Sequence, residues 1–318
     1  MKPSGIGGQA VLEGIMMRNK DQYSVAVRKP DGEIEIRINE FHSLASRNGV
    51  AKLPLVRGVV SFVESLLIGM ETLGWSSTFY DEEDSQEPGA FEKLLTKLFG
   101  DKAEKVVMGV TVAFSIVMAV AIFMLLPYFA TNFFRNYIVS NTLLAILEGV
   151  LRLLIFTLYV WLISCMKDIK RTYMYHGAEH KCINCIEHGM DLTEKNVRKS
   201  SRYHPRCGTS FMFIVMVISI IFFIFIQVDS PILRVAYRLL LIPVIAGVSY
   251  EFIRLAGRSE NPLVKILSIP GKGMQMLTTK EPDDDMIEVA IAAVEAVFDW
   301  REFQGYPLYD EEEEEEKA

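Results

Sequence analysis

Basic residues, cysteines and histidines are all scarce in this chain, and each scarcity excludes something. Its 33 lysines and arginines are outnumbered by 40 acids, for a net charge of −7. No net positive field is left to attract nucleic acid. The acidic excess is itself local: Asp310 and Glu311 to Glu316 carry seven negative charges, and the rest of the chain sums to zero. Residues 310–318 therefore read as a solvated disordered tail, with a docking tail for a basic partner as the sharper alternative. Only four cysteines are present, Cys165 at the cytoplasmic end of the second apolar run and Cys182, Cys185 and Cys207 in the cytoplasmic loop expected below, so thiols or thiolate ligands in a reducing compartment are expected rather than structural disulfides. No apolar run lies near the N-terminus, and no cleavable signal peptide is expected. Internal repeats are absent.

Apolar residues, by contrast, make up half of the 318, and the mean hydropathy is positive. That points to a membrane protein. Four runs, 107–127, 143–166, 211–228 and 235–253, meet the length of roughly 17–25 residues that a spanning helix needs. Lysines and arginines crowd the 167–210 loop and the segments before the first and after the last run, while the 128–142 and 229–234 links carry one arginine each. The positive-inside rule then puts both termini and the 167–210 loop in the cytoplasm.

The soluble segments divide further. Residues 1–42 form a small antiparallel β unit: Tyr23–Arg28 and Glu33–Ile38 alternate and are joined by Lys29-Pro30-Asp31-Gly32, with Gln9–Arg18 as a third strand. The Gly7-Gly8 pair marks a bend or close approach, and the strands are expected to pack on the cytoplasmic loop. Residues 54–79 suit an amphipathic or re-entrant helix, with Glu64 and Glu71 on one face. An acidic linker and basic pre-membrane segment follow at 80–106, then helices one and two (107–166), the loop (167–210) and helices three and four (211–253). The C-terminal segment, 254–309, contains a turn at Pro270-Gly271-Lys272-Gly273 and an amphipathic helix over 284–301. The fold expected is mainly α-helical and polytopic, with about four transmembrane helices.

The loop holds the chemistry. Four of the five histidines and three of the four cysteines lie between residues 176 and 210. His176-Gly177-Ala178-Glu179-His180 is an H-x-x-E-H pattern, and one helical turn aligns the two imidazoles as metal ligands. Glu179 beside them suits a general base. His204, Cys207 and Glu251 are candidates for a third ligand. Three readings stand open: a catalytic or regulatory His/Glu metal site, a structural zinc site from Cys182-x-x-Cys185 with His204-x-x-Cys207, and histidines that merely hydrogen-bond within a packed domain or bind an anionic headgroup. Within the second run, Glu148 and Arg152 are four apart and pair along one face, as an ion pair locking helix packing or as a functional pair. Glu13 and Arg18 read first as packed salt bridges.

Gly7–Arg18, Tyr175–Lys181, Glu187-His188-Gly189 and His204–Phe211, with Arg57-Gly58 and Leu277–Pro282, resemble the YqhQ-like bacterial membrane family, domain of unknown function 1385. The resemblance covers nearly the whole chain apart from the acidic linker and tail. It implies a metal-dependent enzyme and implicates His176, Glu179, His180, His204 and Cys207, with Glu13 and Arg18; Cys182 and Cys185 are not required by the family pattern. The expectation is a divalent cation, zinc by preference, and metal-assisted hydrolysis with Glu179 as base and Arg206 or Arg18 binding an anionic group. The rival is a non-enzymatic membrane factor, accessory to protein insertion or transporter regulation. Expected partners are the lipid bilayer and a membrane protein or second copy of the chain.

Overall fold

The computed structural model describes residues 2–44, 49–80, 103–226, 228, 230–257, 259 and 261–306. The acidic stretches at 81–90 and 310–316 lie outside these residues. The chain is mainly helical, with one antiparallel sheet at its N-terminus. It divides into two compact units: Met1–Tyr80, Val160–Ile214 and Ala246–Ala318 form the first, Asp81–Tyr159 and Val215–Ile245 the second.

The first unit is built on the sheet. Strands β1 (Gly7–Val11), β2 (Gly14–Asn19), β3 (Gln22–Arg28) and β4 (Ile34–Glu40) pair in sequence order. The segment expected to give one strand gives two, because Leu12-Glu13 makes a tight turn that the residue types do not announce. Glu13 takes a positive φ of 48° without being glycine. Its carboxylate is fixed by Arg171 at 2.5 Å and by the Tyr175 hydroxyl at 3.2 Å. Tertiary contacts thus hold a turn that local chemistry would not favour.

Both sheet faces are covered, which follows from period-two patterning on apolar strands. Ile15, Met17 and Ala26 pack beneath helices α5 (Lys167–Glu187) and α10 (Asp284–Glu295). Met16, Val25 and Val27 meet Ile68 of helix α1 (Val56–Ser77). The β unit does therefore sit on the 167–210 segment, as expected. Glu64 is buried in α1, accepting from Ser43 Oγ and Leu44 N.

The second unit is apolar and helical. Helix α2 (Ala103–Val120) continues through one π turn, Ala121–Leu125, into α3 (Leu126–Asn132), and the wider turn accommodates Pro127. Phe123 stacks edge-on against Phe156 and Tyr159 of α4 (Asn141–Ile163). A Cβ at Gly149 would fall 2.5 Å from Ile220 of α7 (Gly208–Ile224), so only glycine allows that crossing. Three helical stretches, Gly109–Asn136, Asn141–Ile163 and Ile232–Ala256, are long and apolar enough to cross a membrane. The fourth expected span is the shorter apolar helix α7.

Two further expectations fail. Pro270 and Gly271 lie inside helix α9 (Pro262–Thr278), not in a turn. Gly271 serves packing there: a Cβ would stand 3.1 Å from Ser210. The helix expected over 284–301 breaks after α10, and Asp299 caps a separate α11 (Trp300–Gln304) by accepting from Glu302 N. Helices α6 (Glu194–Lys199) and α8 (Pro231–Ala256, with Pro243 inside) complete the chain.

Candidate metal centre

Helix α5 aligns His176 and His180 one turn apart, with ring centroids separated by 4.4 Å. Each ring is anchored at Nδ1 by a backbone carbonyl: Thr278 O at 2.9 Å for His176 and Arg202 O at 2.6 Å for His180. A carbonyl only accepts, so both Nδ1 atoms carry protons, and Nε2 is the nitrogen that each ring would offer to a metal on losing its second proton. This is the arrangement that orients histidine ligands around a metal.

The anchors depend on specific residues. Thr278 ends α9, and the chain then runs beside α5, where Lys280 N donates to Tyr173 O. A Cβ at Gly177 would lie 2.0 Å from Lys280 O, so this approach requires glycine. On the other side, Lys181 Nζ donates to Arg198 O and Ser200 O, and Asn184 Nδ2 to Ser201 O and Tyr203 O. These bonds hold the loop that presents the Arg202 carbonyl.

Cys207 completes the group. Its Sγ lies 3.3 Å from His176 Nε2, and one ligand atom from each of His176, His180 and Cys207 falls within 4.8 Å of the others. Cys207 directly precedes α7 and its Sγ accepts from Thr209 N, so the helix N-terminus adds to the stabilisation of a thiolate. Burial alone would raise the Cys207 pKa, but the two imidazoles outweigh it and hold it well below the usual thiol range. Burial likewise disfavours a charged His176, yet the neighbouring Cys207 and Glu179 carry its pKa up to about 9. His180 moves in the same direction against its burial, chiefly through Glu179.

Glu179 supplies the decisive detail. Its Oε1 accepts from Gly8 N at 3.1 Å, while Oε2 is buried with no hydrogen-bond partner among the described residues. That oxygen lies 3.8 Å from His176 Nε2 and 3.6 Å from His180 Nε2. A Cβ at Gly8 would collide with Glu179 Cγ at 2.8 Å, which is the close approach that the Gly7-Gly8 pair signalled. A buried carboxylate oxygen without a donor is costly unless a cation or bound water completes it. Two imidazole nitrogens and a cysteine sulfur, with a carboxylate beside them, form a group whose donor types suit zinc.

The remaining candidates lie elsewhere. His204 is buried with its ring 5.7 Å from that of His180, and its Nε2 faces Glu187 at 3.5 Å. It borders the donor group without joining it. Glu251 is not a third ligand: both its oxygens accept from Arg57, at 2.6 and 2.5 Å. Arg206 is engaged by Glu187. Arg18 stacks over Phe41 at 4.5 Å, and Glu13 is held by Arg171. Cys182 and Cys185 are buried in the apolar core under the sheet. Burial pushes the Cys182 thiol up and that of Cys185 to about 11, so neither is a ready thiolate, and the four-ligand zinc ribbon does not form. Glu148 and Arg152 meet in the second unit, 3.1 Å apart.

Sequence reasoning missed three supports. Gln275, fully buried, bonds both the N–H and the carbonyl of His204 and reaches Ser210 Oγ. Glu187 gathers Ser4, His204 and Arg206; burial would raise its pKa, but these donors bring it to about 2. Thr278 lies 102 residues from the ring it anchors. The stretches containing Glu187 and Thr278 stood among the family-like motifs, but no spacing rule gave them roles.

A family of proteins of unknown function, DUF1385, matches residues 53–300. The chain belongs to this family. The uncharacterized protein YqhQ of Bacillus subtilis (strain 168), a relative, is 34% identical over 291 residues, covering 91% of each chain. No solved structure matches. Family membership thus carries no activity with it, and any function must come from the site.

Proposed function

We propose that this DUF1385 protein is a polytopic bacterial inner-membrane protein with one divalent cation, zinc by its donor set, held by His176, His180 and Cys207 at the cytoplasmic face. The observation that carries this reading is the convergence of two carbonyl-anchored imidazoles and a thiolate beside an unpartnered carboxylate oxygen. Three protein donors leave a fourth position, the pattern of catalytic rather than structural zinc. Bound there, the ion would polarise a water and lower its pKa towards neutrality. Glu179 is the base for that water: Gly8 fixes one oxygen and leaves the other uncommitted. The reaction class is hydrolysis, with a peptide bond or lipid-linked ester at the membrane face as the substrate class suited to this location.

The membrane part rests on the three apolar helices and on the basic 167–210 segment, which the positive-inside rule assigns to the cytoplasm. Two helices of the first unit support it. Helix α1 exposes Leu66, Leu67 and Met70, and α9 exposes Leu263, Ile266 and Leu267. A bilayer surface would cover both faces.

One observation favours a second reading, a closed structural centre in a non-enzymatic membrane factor. Glu179, His180 and Cys207 are each no more than 4% exposed, which suits a fourth protein ligand better than an entering substrate. Elemental analysis of the purified full-length protein tests both readings. About one zinc per chain is expected, lost in His176→Ala and His180→Ala. Zinc kept in Glu179→Gln supports the base role; zinc lost there makes Glu179 a ligand and the centre structural. Folded wild-type protein that takes up no divalent metal would sink the proposal.

A further inference from the structure

The second unit contains a charge cluster with the opposite deficit. Glu148, Arg152 and Arg238 are buried, at 4%, 5% and 3% exposure. Glu148 alone serves both guanidiniums: Arg152 Nη2 at 3.1 Å, and Arg238 through both terminal nitrogens, the Nη2 contact being 2.9 Å. Phe223 lies between the two cations, its centroid 4.9 Å from each. Arg152 also donates to Phe123 O and Ser219 Oγ. Arg238 Nε, however, is buried with no acceptor among the described residues. One carboxylate against two desolvated guanidiniums leaves a positive charge uncompensated where compensation matters most.

A cavity of about 160 Å³ adjoins this cluster and is lined by Glu148, Arg238, Arg234 and Arg135 among others. Among the described residues that line it, three cations face one anion. Arg234 stacks over Tyr128 at 5.3 Å and donates to Val228 O, so its guanidinium is oriented. Arg135 is exposed at the end of the first apolar stretch. Glu148 and Arg238 each lie seven residues into their helices, α4 and α8. That is about 10 Å along the axis, short of the middle of a hydrocarbon core roughly 30 Å thick. The cavity is therefore within reach of a headgroup.

We propose that this cavity binds a phosphate group, with arginine forks matching its oxygens. Its depth fits the phosphate of an anionic phospholipid. That source depends on the membrane part of the proposed function, whereas binding of the free anion does not. The zinc proposal is independent of both.

The test uses delipidated full-length protein in non-ionic detergent, titrated with phosphatidylglycerol, phosphatidylcholine or inorganic phosphate and read by native mass spectrometry and ³¹P NMR. One phosphatidylglycerol per chain is expected, at least tenfold tighter than phosphatidylcholine. The double variant Arg135→Gln/Arg234→Gln should weaken it at least tenfold. Neither residue contacts Glu148, so the buried cluster stays intact, and an unchanged thermal transition verifies it. Displacement of the lipid by inorganic phosphate would support the same site with a free anion as its source. Equal affinity for the two lipids without phosphate binding would overturn the proposal. So would phosphatidylglycerol affinity unchanged in the folded double variant.

Discussion

The two charged sites of this protein are mirror images in their chemistry. In the first unit, possible ligand atoms converge: two Nε2 atoms and the Cys207 sulfur, beside a carboxylate oxygen with no hydrogen-bond partner among the described residues. In the second, N–H groups converge: guanidiniums outnumber the carboxylate that joins them, and one Nε finds no acceptor. The unsatisfied groups at each place motivate the two proposals, a cation in one case and an anion in the other. Elsewhere in the first unit the Glu187 carboxylate is satisfied by Ser4, His204 and Arg206, while Arg28 Nε, Arg206 Nη1 and Gln304 Oε1 are buried with no partner among the described residues. The contrast separates a buried polar group that supports the fold from one that awaits a ligand.

The largest effect should come from removing the acid of the second site. Glu148→Ala leaves two buried guanidiniums unpaired, and a loss of about 3–5 kcal/mol is expected, read as a collapse of thermal stability in detergent. Stability within about 1 kcal/mol of wild type would show that the cations are hydrated, and the mirror would break.

His180→Ala comes next. Removing one of the zinc ligands should weaken metal binding on the order of a thousandfold, measured by competition with a chromophoric chelator. Gly177→Ala tests the scaffold instead of the donors. Its methyl would meet Lys280 O, and overpacking of about 1–3 kcal/mol is expected, with weaker zinc binding because the Thr278 carbonyl must move. Unaltered stability would mean that the 278–280 segment is not held against α5.

A pH dependence sharpens the distinction between balanced and unbalanced burial. The pKa of Glu187 is about 2 in the fold against an ordinary 4.5. Its stabilisation is therefore complete above pH 4.5 and is lost as pH falls towards 2. Acid unfolding followed by the buried Trp300 should be less steep in this window for Glu187→Gln. An identical acid profile would remove Glu187 from the scaffold. The smallest effect is expected for Cys182→Ala: about 1 kcal/mol for a small buried void, with zinc content unchanged. Loss of zinc would revive the ribbon.

Much of the site was legible because its parts are local. The H-x-x-E-H spacing placed both rings on one face of α5, and Cys207 stood in the same loop. Likewise the alternating strands flanking Lys29–Gly32 predicted the β3–β4 hairpin. What escaped is held by distant partners. Gln275 lies 71 residues from His204, and glutamine has no signature for such a task. The Leu12-Glu13 turn depends on Arg171, 158 residues away, so local turn chemistry could not reveal it. Pro270-Gly271 read as a turn because both residues weaken helices, yet the packing of Gly271 on Ser210 favours the helix. Arg238 was overlooked beside Glu148 and Arg152, although its position within an apolar run was the same kind of signal.

The carbonyl that fixes the His176 ring belongs to Thr278, the last residue of α9. While a ribosome is still making the first 270 residues, that imidazole has nothing to set which nitrogen keeps its proton. Both histidines and Cys207 have by then been synthesised. On the proposed reading, loading of the ion would be a late event in biogenesis, after the C-terminal segment has emerged, and a chain stopped short of Thr278 would carry the two histidines and Cys207 without the means to aim them.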